Sequence, residues 1–175
     1  MDAGINLKIL PYRKCVGIVV FNHEGKVWVG RRLMMPIHAD ADIDISHRWQ
    51  LPQGGIDEDE KPLDAAYREL YEETGIRSVK LIKEAQNWFH YDFPQELIGC
   101  TLTNKYRGQI QKWFAFQFTG KLSEIAINPP PDGNKAEFDQ WKWIDLETLP
   151  LIAVSFKKHV YTKVVSEFRG SLRPL

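Results

Sequence analysis

The stretch that most constrains this chain is residues 62–74, PLDAAYRELYEET, which reads as a helix with two incompatible faces. Leu63, Ala66, Tyr67 and Leu70 recur at helical spacing and demand an apolar layer to pack on. Pro62 suits the first turn and Gly75 the stop. Glu69, Glu72 and Glu73 stand at i, i+3 and i+4, so they project together. Like charges at this spacing work against a helix by about 0.2–0.5 kcal/mol per pair. They also sit near the C-terminus, where the helix dipole disfavours negative charge. Stability alone does not select this arrangement. A hard divalent cation reverses its sign, because carboxylate oxygens are the ligands Mg²⁺ prefers, with substrate phosphates and waters completing its shell.

The charge distribution repeats the point on a larger scale. The 175 residues carry 23 basic and 23 acidic side chains, a net charge of zero. Residues 54–76 nevertheless hold eight acids (Asp57, Glu58, Asp59, Glu60, Asp64, Glu69, Glu72, Glu73) against Lys61 and Arg68, leaving −6 there and +6 elsewhere. A concentrated acidic site in a mildly basic body suits bound cations with a polyanion held around them; a solvated acidic helix face gives the same count.

A chain of this length can bury roughly 70% of its unfolded surface, enough for a core without disulfide or metal staples. With 43% apolar residues it reads as globular, one domain over 1–175. The longest apolar run, 15–21, is too short to span a bilayer, and residues 1–14 show no secretory pattern. Cys15 and Cys100 form neither a CxxC pair nor a zinc spacing. A cytoplasmic protein with no membrane partner is expected.

Residues 15–21 and 27–32 read as strands joined by a turn at 22–26, and 49–51 as a short extended piece stopped by Pro52 and Gly54-Gly55. Residues 79–93 read as extended, 98–103 as a strand, and 110–118 as a strand with Phe114, Phe116 and Phe118 on one face. INPPPDG at 127–133 is a loop, and 141–144 a last short strand whose Trp141 and Trp143 read as packing. A second helix is predicted over 155–169, capped by Ser155, stopped by Gly170, with Phe156, Val160, Val164 and Phe168 as its buried row. The fold class is α/β (α+β), strands and two helices around one core. No GxGxxG or GxxxxGK[ST] is present.

Gly54, Glu60, Arg68, Glu69, Leu70, Glu72, Glu73, Gly75 and Ile76 fill every defined place of the Nudix box, a glycine, five residues, a glutamate, seven residues, then R-E-U-x-E-E-x-G-U. At average residue frequencies such a match arises by chance on the order of once in ten million chains of this length. The chain therefore resembles the Nudix hydrolases. That resemblance implies an α-β-α sandwich with a mixed β-sheet, and hydrolysis of nucleoside diphosphate-linked compounds with Mg²⁺ or Mn²⁺. By resemblance, Glu69, Glu72 and Glu73 would bind the metal with a backbone carbonyl near Gly54 or Gly55, and Arg68 and Glu60 would support them. The metals would neutralise phosphate oxygens and orient a water for in-line attack.

The likeness continues outside the box. Tyr12-Arg13 before Val16-Gly17, Trp49-Gln50-Leu51-Pro52-Gln53, Gln111-Lys112-Trp113-Phe114, Glu137-Phe138-Asp139 with Trp141-Lys142-Trp143, and Ser155-Phe156-Lys157 are similar to one branch. It holds the bacterial RNA pyrophosphohydrolases and the asymmetric dinucleoside polyphosphate hydrolases. This implies that Arg13, Arg32 and Lys157 meet phosphates. Phe156 would offer a surface to the first bases, Ser155 and Tyr91 would help bind the substrate, and Glu137 would bind metal or take the proton from the attacking water. The expected substrate is 5′-triphosphorylated RNA, losing pyrophosphate; the alternative is diadenosine tetraphosphate cleaved to ATP and AMP. A silent binding module on the same scaffold would be expected to lose a box glutamate, and none is lost here. Net neutrality argues against a general nucleic-acid binder, so no DNA partner is expected. The segment between Arg32 and Trp49 is longer than in the bacterial RNA enzymes. Its alternating Asp40, Asp42 and Asp44 do not make an EF-hand, because Ile45 and Leu51 stand where Gly and Glu are required.

Overall fold

A computed structural model describes residues 9–33, 48–94 and 105–171. Among them, eight strands form one mixed sheet: β1 (Tyr12–Phe21), β2 (Val27–Arg32), β3 (Trp49–Gln50), β4 (Gln53–Gly55), β5 (Val79–Glu84), β6 (Phe89–Asp92), β7 (Gly108–Phe118) and β8 (Phe138–Ile144). β1 and β7 run parallel along ten residue pairs, from Tyr12↔Gly108 to Phe21↔Gln117. The other pairings are antiparallel. Helix α1 (Pro62–Thr74) covers one face, and α2 (Leu149–Ile152) with α3 (Lys158–Phe168) is packed with the other. The expected three-layer α-β-α sandwich is present.

Strand alternation divides the core into two clusters. Val16, Ile18, Val20, Trp28, Phe114, Phe116 and Phe138 pack with Ala65, Ala66 and Leu70 of α1. Val19, Phe21, Val29, Trp113 and Ala115 point the other way, to Val160, Tyr161, Val164 and Phe168 of α3. Of the predicted apolar row of α1, Tyr67 stays 39% exposed, with its ring against Phe116, and Ala65 takes the fully buried place.

β1 and β2 pair only at the hairpin end, Phe21↔Val27. Beyond it they part, and the gap is filled by β3 on the β2 edge and β4 on the β1 edge, with Pro52 O accepting the Ile18 N–H at 3.0 Å. In this wedge the first extended piece does end before Pro52, as the sequence implies, but Gln53–Gly55 form a further strand: the open edge of Cys15–Gly17 supplies partners that bring the chain back into the sheet. The wedge is gripped from both faces. The Leu51 N–H donates to Tyr161 Oη of α3 at 2.9 Å, and the Gln53 N–H donates to Glu73 Oε2 of α1 at 3.1 Å.

Other boundaries also differ. The extended 79–93 stretch divides into β5 and β6, which pair in turn with the same long β7. Lys112 fills the break, donating to the Ala85 carbonyl at 2.7 Å and pairing with Glu84 at 2.9 Å. The last helix begins later than predicted: Ser155–Lys157 is a 3₁₀ turn before α3, Ser155 makes no side-chain cap, and Phe156 is only half-buried. The short α2, with Pro150 in its first turn, was not predicted. The strand expected at 98–103 and the longer segment, 34–47, lie outside the described residues.

Tyr161→Phe removes the acceptor of the Leu51 N–H and leaves that buried donor unpaired. We expect a loss of about 1–3 kcal/mol, read as a lower urea midpoint with an unchanged slope; an unchanged midpoint would show that the wedge does not need this anchor.

Candidate active site

The acidic face of α1 turns toward the wedge. Arg68 organises it. Its Nε and Nη2 donate to the two oxygens of Glu60 at 2.8 and 2.7 Å, and Nη2 also to the Gly55 carbonyl at 2.9 Å. Its Nη1 donates to Glu69 at 2.8 Å and Glu72 at 3.2 Å. Glu60 in turn accepts the Asp57 N–H at 3.0 Å, so the loop folds back onto the helix. The Arg68 bonds hold the Glu60 carboxyl below its ordinary pKa, and the surrounding acids raise that of Arg68.

Two glycines make room for charge. A Cβ on Gly54 would occupy the position of the Glu69 carboxylate, and one on Gly55 would overlap the Arg13 guanidinium. Only glycine lets both groups lie against the backbone of β4.

Glu69 and Glu73 are the strained acids. Burial raises the Glu69 pKa against the opposing pull of Arg68. Glu73, 8% exposed, is raised further, by burial first and then by Glu69, with the Gln53 N–H opposing. Opposite them Glu137 leaves the start of β8, its carbonyl accepting the Leu33 N–H at 2.9 Å and its carboxylate 3.8 Å from Arg32. Glu69, Glu72, Glu73 and Glu137 line one open pocket of ≈ 160 Å³ with Asn134 and Lys135.

Behind the wedge, on the α3 face, lies a second polar group. Lys157 is 6% exposed, with Nζ 3.4 Å from Gln50 Oε1 and 5.5 Å from the centre of the Tyr91 ring. Burial and the charge of Arg32 bring its pKa down to about 7. Tyr91 is buried, packed on half-buried Phe156 at 5.6 Å between ring centres, while Ser155 is exposed beside it. Gln111 donates to Gln53 Oε1 at 3.2 Å and to Gln109 Oε1 at 3.1 Å, an amide chain along the floor. The sequence reading missed Asn134 and Lys135 in the pocket lining, and Gln50, Gln53, Gln109 and Gln111 as polar groups near the wedge and Lys157. Gln109 and Gln111, polar residues inside an otherwise apolar alternating strand, were the available signal.

The donor set suits a divalent metal in kind: hard carboxylate oxygens, partly buried, around one pocket. As placed, Glu69 and Glu72 turn to Arg68, Glu73 to the Gln53 N–H and Glu137 to Arg32, and no group of three or more His, Cys, Asp or Glu among the described residues is disposed to hold an ion. Among the described residues, no helix is long and apolar enough to cross a membrane.

The family model of the NUDIX domain matches residues 11–164. The chain belongs to the Nudix family. It is 88% identical over 175 residues to the RNA pyrophosphohydrolase of Bartonella tribocorum, covering the whole of both chains. To that of Brucella anthropi it is 56% identical over 160 residues, 91% of each. Among solved structures, the E. coli dihydroneopterin triphosphate pyrophosphohydrolase has a TM-score of 0.60 at 18% identity, covering 89% of this chain and 98% of that one. A C. elegans Ap4A hydrolase has 0.56 at 17%, with coverage of 89% and 98%. These two share the Nudix fold.

Two titrations follow from the geometry. Glu69 and Glu73 hold protons more tightly folded than unfolded, so above the ordinary glutamate range stability falls as pH rises through their folded values. A cation bound to the acids offsets that loss. We expect Mg²⁺ to raise Tm more at pH 8 than at pH 5.5 relative to EDTA; equal Tm in both would remove the metal reading. Lys157 behaves oppositely. Its folded pKa of about 7 lies below the ordinary lysine value of 10.5, so its penalty is complete below pH 7 and fades as pH rises toward 10.5. Lys157→Met should therefore raise Tm at pH 7, the gap to the parent closing near pH 10; a gap independent of pH would contradict the buried charge.

Proposed function

We propose that this Nudix chain is an RNA pyrophosphohydrolase. It would convert the 5′-triphosphate end of RNA and one water into a 5′-monophosphate end and pyrophosphate. The observation that carries the reading is the meeting, at one end of the sheet, of a four-carboxylate pocket and a cation group. Glu69, Glu72, Glu73 and Glu137 line the pocket, and Arg13, Arg32 and Lys157 lie around the wedge beside it. Acids without cations would repel a phosphate chain, and cations without acids would bind it unhydrolysed. End-to-end relatives named RNA pyrophosphohydrolase support RNA as the substrate.

Mg²⁺, or Mn²⁺ in its place, would be held by Glu69, Glu72, Glu73 and Glu137 with the backbone at Gly54 and Gly55, and would supply charge neutralisation and an activated water. The residues do the rest. Arg13, fixed against Gly55, and Arg32, beside Glu137, offer guanidinium forks to phosphate oxygens. Lys157 adds a point charge in a poorly hydrated place, where it acts more strongly on a phosphate than in water. Phe156, half-buried at the rim on Tyr91, is the apolar surface for a base. Glu137 would bind metal or take the proton of the attacking water, among the carboxylates that line the pocket. Arg68 and Glu60 hold the helix to the loop and would act as supports for the ligating acids. RNA ends of this kind occur where transcripts are made and decayed, so the enzyme would work in the cytoplasm.

The test is turnover of 5′-triphosphorylated RNA against diadenosine tetraphosphate, compared as kcat/KM. Release of pyrophosphate from RNA with the higher value supports the proposal; cleavage of the dinucleotide alone overturns it in favour of the alternative. Glu73→Gln keeps the acceptor for the Gln53 N–H, so the variant should fold while kcat falls about 10²–10⁴-fold. Full activity in a folded variant would contradict the site.

A further inference from the structure

β8 contains one irregularity, and it lies next to the pocket. Pairing with β2 runs residue for residue from Val27↔Ile144 to Arg31↔Gln140, and then Arg32 pairs with Phe138, leaving Asp139 as an extra residue. The sequence forces this. Phe138, Trp141 and Trp143 all pack with the α1-face core, yet Phe138 and Trp141 are an odd number of residues apart. A regular strand would turn Phe138 to the opposite face, and one inserted residue restores it. Gly30 accommodates the Phe138 ring, whose carbons would lie 2.5 Å from a Cβ at that position.

The inserted residue is tied down. Arg31 Nε donates to Asp139 Oδ1 at 2.7 Å and Nη2 to Oδ2 at 2.9 Å, a two-point fork between side chains 25% and 27% exposed. Immediately beyond it, the Leu33 N–H reaches the Glu137 carbonyl at 2.9 Å and Arg32 comes within 3.8 Å of the Glu137 carboxylate. The register fixed at Asp139 therefore sets where Glu137 and Arg32 emerge. Without the extra residue Glu137 would be displaced by one place relative to β2 and turned from the pocket it shares with Glu69, Glu72 and Glu73.

We propose that Arg31 and Asp139 are positioning residues, whose paired side chains hold the β8 bulge and so aim Glu137 at the carboxylate pocket. The inference rests on Glu137 being a working carboxylate of that site. Neither residue lines the pocket, so each acts through Glu137. A merely stabilising ion pair at this exposure would contribute little and would leave the pocket's properties alone.

The experiment compares Asp139→Asn, Arg31→Lys and Glu137→Gln in the full chain. The readouts are Mn²⁺ binding to the substrate-free protein by electron paramagnetic resonance, amide exchange at Leu33, and kcat and KM with triphosphorylated RNA. We expect Asp139→Asn to weaken Mn²⁺ binding about tenfold, speed exchange at Leu33 and lower kcat with KM nearly unchanged. Arg31→Lys keeps the charge but loses the fork, and should fall between it and the parent. If Glu137→Gln weakens Mn²⁺ binding while Asp139→Asn and Arg31→Lys do not, the positioning role is overturned and the reading of Glu137 stands. If Glu137→Gln binds Mn²⁺ and turns over RNA like the parent, that reading falls and the inference falls with it.

Discussion

The architecture of the acidic pocket depends on one guanidinium. Arg68 touches Glu60, Glu69, Glu72 and the Gly55 carbonyl, joining the loop before α1, the helix itself and β4 of the sheet. Without it the acids would be left facing each other at spacings a helix does not favour. Planar geometry lets one side chain serve several acceptors in fixed directions, which a lysine ammonium on a flexible stem does not. The same contacts explain why the cluster is tolerable before any cation arrives. On the proposed reading, Glu69 and Glu72 would turn from Arg68 to ligate a cation.

The wedge of β3 and β4 is the second requirement. Because β1 and β2 part after a single hairpin pair, the chain at Leu51–Gln53 is contacted from above and below, by Tyr161 and by Glu73. A continuous sheet would have kept those faces apart. Here the pocket acids and the Lys157 group come to the same edge, close enough that Glu73 and Lys157 lie in each other's field.

Local signals were legible in the sequence, and signals from distant pairing were not. The helix at Pro62–Thr74 matches its predicted span because proline, glycine and an apolar row all act within a few turns. The aromatic face of β7 was readable for the same reason. The return of Gln53–Gly55 into the sheet depends on an open edge forty residues earlier in the chain, about which the local sequence is silent. The bulge at Asp139 needs the pairing of β2 and β8 before the odd spacing of Phe138 and Trp141 acquires a meaning. Ser155 has the composition of a cap but lies in a 3₁₀ turn, where its hydroxyl has no helix terminus to serve. In the candidate site the charged residues stood out through the box and its flanking segments. The amide floor of Gln53, Gln109 and Gln111 did not, since uncharged glutamines carry no pattern beyond an interruption of alternation.

The acids and the buried lysine stand on opposite sides of a partition no thicker than β4 and its neighbours. On the proposed reading, hydrolysis would take place on the α1 side while Lys157 would hold the phosphates from the α3 side. On that reading, substitutions on the α3 side would change what is held and leave the acids on the α1 side in place.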